Sequence, residues 1–224
     1  LPAFPVSAED GESVTDSIRT GTPAGSLDPL VSADGTRVTT PELWWNKRRP
    51  GILETFTREM YGRSPGRPEK MTFEIFDREP NALGGKATRI QIAIRPGGND
   101  GPRMDMLVYV PNNAKGPVPA FIGLNFWGNH AIHPDPGIRL TDSWVEDNKQ
   151  PYVDLAGVDK HKATDATRGV NAKQWPVETI LSRGYALATI YREDVAADHE
   201  PYFASGVHPL FPDYQKTDEN FGTI

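Results

Sequence analysis

Residues 125–130, Asn-Phe-Trp-Gly-Asn-His, place three hydrogen-bonding side chains, two aromatic rings and a glycine side by side. Polar groups can orient a ligand, rings can stack on it, and a glycine lets the backbone approach it closely. An ordinary strand exit with Trp127 as a core plug is the plainer use of the same residues. For Asn125 and Asn129 that plainer use is stapling of the loop through its own backbone. His130-x-x-His133-x-Asp135 has the ligand types of a metal site. Pro134 and Pro136 keep that segment extended, so no helix aligns the pair and no metal is expected. Gly62-Arg63-Ser64-Pro65-Gly66 spells the G-x-S-x-G of a nucleophile elbow. An elbow needs its serine on a sharp turn from strand to helix, whereas this stretch leaves a helix and runs through prolines toward a strand. Among Asp142, Glu146, Asp147, Asp154, Asp159, Glu193, Asp194 and Asp198, most are expected to be solvated. Asp194 is singled out because it lies just past a strand. His161, His199 and His208 sit in polar stretches and are expected to be exposed. Neither a P-loop nor a dinucleotide fingerprint occurs, and no cofactor is expected.

The bulk numbers narrow the classes. The 224 residues suit about one domain. A net charge of −6 disfavours a nucleic-acid surface, which needs clustered cations. No apolar run approaches the length of a membrane span. With no cysteine, thiolate nucleophiles, disulfides and cysteine-ligated metals are excluded. The chain opens on Leu1, so a leader peptide would not be visible.

The elements that must position these residues follow from pattern. Residues 1–40 are polar and without period, an extended arm. From 41 the chain reads as one folded domain running to 224. Thr39-Thr40-Pro41-Glu42 starts a helix, with Thr39 as cap and Glu42 closing the box. A second helical stretch from Pro50 carries Ile52, Leu53, Phe56 and Met60 and ends at Gly62. The Lys47-Arg48-Arg49 run reads as a solvated helix face. Residues 71–76, 87–94 and 103–110 alternate apolar and polar, with turn residues between, as antiparallel strands do. The apolar run 118–125 reads as a strand buried on both faces. Trp175-Pro176 opens a helix that ends at Gly184, and 185–191 is the next buried strand. The run 118–125, the helix and 185–191 therefore form a βαβ unit with parallel strands, interrupted by a long insert at 131–174. Ligands in such sheets bind outside the strand ends, where Asn125, Phe126, Trp127, Gly128, Asn129, His130 and Asp194 would meet.

Several stretches taken together carry a resemblance. They are Asn46-Lys-Arg-Arg-Pro50, Glu59-Met-Tyr-Gly62, Gly123-Leu-Asn-Phe-Trp-Gly-Asn-His130, Trp175-Pro-Val-Glu178 and Arg183-Gly-Tyr-Ala-Leu-Ala-Thr189. The chain resembles the bacterial glucuronoyl esterases, carbohydrate esterase family 15, from about residue 28 onward. The resemblance implies an α/β-hydrolase fold, of which these residues would be the N-terminal half: antiparallel strands followed by a βαβ unit. It implies a serine-type hydrolase of glucuronic acid esters, such as the lignin–carbohydrate esters of glucuronoxylan. It further implies a secreted or periplasmic protein with neither nucleic-acid nor membrane partners. The family's serine lies in a G-x-S-R-x-G elbow that would begin near Gly222-Thr223-Ile224, with its acid and histidine later still. The catalytic residues are thus expected outside the chain, which alone should be inactive, and the C-terminal half should be its partner. The loop 126–128 would bring a backbone N–H toward the oxyanion. Two other readings stand beside this one. One is an acetyl xylan esterase-like hydrolase. The other is a non-catalytic, β-rich carbohydrate-binding module with Trp44, Trp45, Trp127 and Trp144 as stacking platforms.

Overall fold

The computed structural model describes residues 28–147, 153–199 and 204–212. Most of the amino-terminal arm, part of the insert and the stretch after 212 lie outside the described residues. The chain divides into two compact units, Leu1–Ser64 with Asp218–Ile224, and Pro65–Thr217.

In the first unit a helical run begins at α1 (Pro41–Leu43) and passes through a π-helical stretch (Trp44–Arg48). It continues as α2 (Arg49–Phe56) and ends in a second π-helical stretch (Thr57–Tyr61). Thr40, not Thr39, is the cap: its backbone is extended and its Oγ1 accepts from the Leu43 N–H at 3.3 Å. The run stops at Gly62, whose φ of 68° favours glycine. The basic run lies at the surface, with Lys47 and Arg49 exposed, but its side chains are engaged. Lys47 Nζ reaches Asp34 at 2.7 Å and Thr36 Oγ1 at 3.0 Å, and Arg48 Nε donates to the Pro29 carbonyl at 2.8 Å. Arg49 lies over the Trp45 ring at 5.3 Å. These cations strap residues 28–37 to the helix, and the bond from Lys47 holds the Asp34 carboxyl far below the usual range.

The second unit is built on five strands: β1 (Met71–Asn81), β2 (Ala87–Pro96), β3 (Met104–Pro111), β4 (Ala120–Asn125) and β5 (Ala186–Tyr191). Their order is β1-β2-β3-β5-β4. The three alternating segments pair antiparallel, as their period demands. β1 reaches β2 through a turn in which Leu83 and Gly84 have φ of 55° and 68°. Between β4 and β5 the pairing is parallel, with α3 (Val177–Ser182) on the crossover and Gly184 in the left-handed region after it.

β4 is not buried on both faces. Among the described residues it forms the edge of the sheet, with Phe121, Ile122 and Leu124 exposed by 53%, 74% and 52%. Its apolar run looks like that of a central strand, but β5 occupies the central place, between β3 and β4.

Cross-strand partners share a face of a sheet. Arg89, Gln91 and Ala93 of β2 stand opposite Tyr109, Leu107 and Asp105 of β3. Leu107 and Tyr109 in turn face Thr189 and Leu187 of β5, and Gly123 and Asn125 of β4 face Thr189 and Tyr191. This face is covered by α3 and by the insert. Leu107, Tyr109 and Leu187 pack there with Ile132, Ile138, Val177 and Leu181. The insert has little regular structure, yet it is not loose. It supplies Ala131, Val153 and Leu155 to a second apolar cluster around Trp127. It is also bolted to the sheet by buried polar groups. The Arg89 guanidinium donates to Asp77 at 3.0 Å and to Asp135 at 2.7 Å, and Tyr109 donates to Asp135 at 2.5 Å. Burial opposes ionisation of Asp135. Tyr109 and Arg89 outweigh it, and the carboxyl sits below its usual range. No helix among the described residues is long and apolar enough to cross a membrane.

Candidate active-site cleft

Parallel strands end on the same side, so the segments that follow β4 and β5 meet. Asn125 is paired with Tyr191, which brings residues 126–130 beside α4 (Arg192–Val195). β3 runs the other way, so its beginning arrives at this same edge, with Met106 opposite Ile190. Between them opens a cleft of about 620 Å³, lined by Leu124, Phe126, Trp127, Glu146, Asn171, Gln174, Trp175, Arg192 and Asp198. Rings and planar polar side chains in one concave surface suit a sugar or an aromatic ring.

The loop that forms one wall is set by Gly128. Its φ is 94° and it is buried, and a Cβ there would meet the His130 ring at 2.6 Å. The turn leads into a short 3₁₀ helix, Asn129–Ile132. No acceptor among the described residues takes the N–H groups of Phe126, Trp127 and Gly128. Phe126 and Trp127, though not Gly128, line the cleft.

Beneath the cleft runs a web of buried polar groups. Asn125 Nδ2 donates to Asn129 Oδ1 at 2.7 Å and to Thr189 Oγ1 at 3.0 Å. Asn129 Nδ2 donates to the Asp105 carbonyl at 2.7 Å. The Asp105 N–H donates to Asp194 Oδ2 at 3.1 Å, and Ser143 Oγ donates to Asp194 Oδ1 at 2.6 Å. Burial pushes the Asp194 carboxyl up to about 6, against the two hydrogen bonds that favour its charge. The Asp105 carboxylate adds to the rise and Arg139 opposes it. Asp105 itself is held by Arg103 at 2.7 Å and Arg139 at 2.8 Å.

His130 is fully buried, and its Nε2 lies 2.8 Å from Thr167 Oγ1. The Thr167 hydroxyl already donates to the Thr164 carbonyl at 2.6 Å, so it accepts from His130, and Nε2 carries the proton. Burial, with Arg168 nearby, lowers the His130 pKa to about 4. It is a neutral link between the loop and the insert.

The expected site residues therefore split. Phe126 and Trp127 line the cleft. Asn125, Gly128, Asn129, His130 and Asp194 lie beneath it and hold its wall. Several expectations about single residues are corrected. His208 is buried, 5% exposed, and His199 lies flat on one face of Trp144 at 4.3 Å, while His161 covers the other at 4.7 Å with its side chain still 42% exposed. Glu193 is not solvated: its side chain is 1% exposed and takes His199 Nδ1 at 3.0 Å and Arg192 at 3.1 Å. Trp144, with both faces covered, has none left for a sugar, and Trp127 is buried. His133 and Asp135 are engaged elsewhere, Asp135 in the Arg89 pair, and the described residues hold no group of three or more His, Asp or Glu able to bind a metal. Ser64 lies in an extended stretch before β1, not on an elbow.

Two groups escaped the sequence reading. Asp105 and Arg139 complete the web, and the clue for Asp105 was its period: it shares a face with Leu107 and Tyr109, so a carboxylate at that position must be buried. Arg192 bridges Glu193 and Asp198, with its guanidinium 5.2 Å from the Phe126 ring centre. A basic residue directly after a buried strand was the signal there.

No family model matches the sequence. A protein named carbohydrate esterase MZ0003, from an unknown prokaryotic organism, is 45% identical over 172 residues, which is 76% of this chain and 38% of that protein. Among solved structures, a glucuronoyl esterase from Solibacter usitatus superposes with a TM-score of 0.77 at 38% identity, covering 91% of this chain and 50% of that one. A promiscuous CE15 esterase from a marine bacterial metagenome gives 0.73 at 40% identity, with 91% and 50% covered. The chain thus spans about half the length of these solved relatives. Their fold is the α/β-hydrolase fold, and the mixed sheet with its covering helix and insert is the part of it found here. By sequence and by fold, the chain is similar to the glucuronoyl esterases of carbohydrate esterase family 15, and it answers to about half the length of such a protein.

Proposed function

We propose that this chain forms the oxyanion-loop side of the active site of a serine-type carboxylester hydrolase acting on glucuronic acid esters. The ester linkages between lignin alcohols and glucuronoxylan would be its natural targets, and a secreted or periplasmic protein its setting. The observation that carries the reading is the loop 126–128, whose N–H groups find no acceptor among the described residues, at the end of a parallel strand and with Phe126 and Trp127 on the wall of a cleft. Acyl transfer builds negative charge on the carbonyl oxygen, and a backbone donor aimed at it contributes about 3 kcal/mol to the transition state. The serine that attacks, and the histidine that carries its proton, would come from residues outside this chain. Ser143 does not serve: its hydroxyl donates to the Asp194 carboxylate, and among the described residues no histidine is hydrogen-bonded to it. The cleft's rings and amides would hold the sugar or the alcohol of the ester.

The test is hydrolysis of a benzyl glucuronate ester by a full-length protein containing this chain, beside the chain alone and beside an acetyl ester. The full-length protein should cleave the glucuronate ester, and the chain alone should be inert. Turnover by the chain alone would overturn the assignment of its chemistry to other residues. A preference for acetyl esters would move the substrate.

A further inference from the structure

The two walls of the cleft hang from one residue of β3. Asp105 opens onto the site edge at the start of β3, and both of its backbone polar atoms are spoken for by other segments. Its carbonyl accepts from Asn129 of the loop 126–130, and its N–H donates to Asp194, which in turn takes the Ser143 hydroxyl of the insert. Ser143 precedes Trp144, whose carbonyl accepts from the Tyr191 hydroxyl at 2.9 Å and whose ring is clasped by His161 and His199. Two residues further on, Glu146 lines the cleft. On the other side, the path from Asn129 leads through Asn125 to Phe126 and Trp127.

The direction of these bonds is forced. The Asp105 carbonyl can only accept, so Asn129 must turn its amino group to it. Its oxygen then faces Asn125, which must answer with its own amino group. Each amide has one orientation, and the loop is held in one place relative to β3. Asp105 is fixed as firmly by Arg103 and Arg139 on its carboxylate.

We propose that Asn129 and Ser143 are positioning residues, which set the cleft's two walls against each other through the Asp105 backbone and the Asp194 carboxylate. They do not touch the reacting atoms. They decide how far the loop 126–128 stands from the wall that carries Glu146. A ligand held between both walls should feel the loss of either link, and losing one should spare much of the cost of losing the other. The proposal rests on the esterase reading only where it speaks of substrate.

Asn129→Asp keeps the acceptor for Asn125 but removes the donor to Asp105. Ser143→Ala removes the hydroxyl, and Ser143→Thr restores it. In a full-length protein, Asn129→Asp and Ser143→Ala should each raise KM for the glucuronate ester roughly threefold to tenfold with kcat changed less, the loss of one hydrogen bond. The double variant should fall short of the product of the two, and Ser143→Thr should restore the parent value. Hydrogen exchange reads the same link without any substrate: Ser143→Ala should speed exchange in 126–130 as well as in 139–147. Exchange confined to 139–147, fully multiplicative effects on KM, or Ser143→Thr as impaired as Ser143→Ala would each overturn the proposal. If no glucuronate ester is cleaved, the reading of the substrate fails, while the exchange result still decides the coupling.

Discussion

At the scale of single residues, His130 and Asp194 pull the pH dependence of stability in opposite directions. An unfolded histidine titrates near 6.5, and the folded value for His130 is about 4. Between those values the folded chain binds fewer protons than the unfolded one. The contribution is complete above pH 6.5 and is lost as pH falls toward 4, on the order of 3 kcal/mol in all. Asp194 is raised from 3.8 to about 6, so the folded chain binds more protons there. Its contribution is complete below pH 3.8 and is lost as pH rises through 6. His130→Gln should therefore flatten the loss of stability between pH 7.5 and pH 5, and Asp194→Asn should steepen it. Urea midpoints at the two pH values check both, and equal slopes in parent and variants would contradict the burial of these groups. Gly128 gives a third prediction at this scale. A side chain at φ 94° is strained, and a Cβ would press on His130 at 2.6 Å. Gly128→Ala should cost about 2 kcal/mol or more, seen as a lowered urea midpoint, and should shift the loop that carries Phe126 and Trp127.

At the scale of elements, the insert is the unusual part. It has almost no repeating backbone structure, so its carbonyls and amides cannot satisfy one another along a ladder. Side chains from the sheet do that work. Arg89 and Tyr109 converge on Asp135, Gln91 donates to the Gly137 carbonyl at 2.9 Å, and Arg139 N–H donates back to Gln91 at 2.8 Å. Removing the Asp135 charge leaves Arg89 with Asp77 as its carboxylate and weakens the charge-assisted bonds from Arg89 and Tyr109, which costs roughly 2–3 kcal/mol. Asp135→Asn should lose about that much in urea unfolding, and its protease sensitivity should rise first within 133–147. A cost of a few tenths would mean that the pair is solvated and the insert is held by its apolar residues alone. The edge strand behaves differently. Among the described residues β4 is tied to the sheet by β5 alone and shows apolar side chains on both faces.

For the sheet-bearing unit as a whole, that edge and the face opposite the insert matter most. Ile90, Ile92, Val108 and Ile190 sit on this second face and are only half-buried. Together with Ile122 and Leu124 they make a broad apolar surface, larger than scattered hydrophobic residues require. An unpaired edge beside such a surface invites association with another chain. The 224-residue chain on its own should therefore associate with itself as its concentration rises, and Ile122→Lys should reduce this. Sedimentation velocity at several concentrations checks it. A monodisperse monomer throughout would mean that the surface is covered from within the chain.

The strands, their alternation, the helix before β5 and the turn glycines were readable from the sequence because each depends on neighbours within a few residues. Period 2 marks β1 to β3, and Gly62 and Gly184 mark backbone that only glycine takes easily. The stretches around Gly123–His130 and Trp175–Glu178 carried the family likeness for the same reason, as local patterns. What lay out of reach was everything decided by partners far along the chain. The apolar run of β4 is the same string of residues whether it lies at the centre of a sheet or at its rim. Only the insertion of β5 beside β3 sent it to the rim. Trp144 looked like a platform for sugar until two histidines, one of them 55 positions away, closed over its faces. Asp105 and Asp194 are 89 positions apart and became one hydrogen bond because an antiparallel strand begins where a parallel one ends. Sequence by itself determined the local conformations and the kinship. The tertiary structure alone decided which buried polar groups would meet, because a hydrogen bond depends on distance in space, and distance along the chain does not predict it.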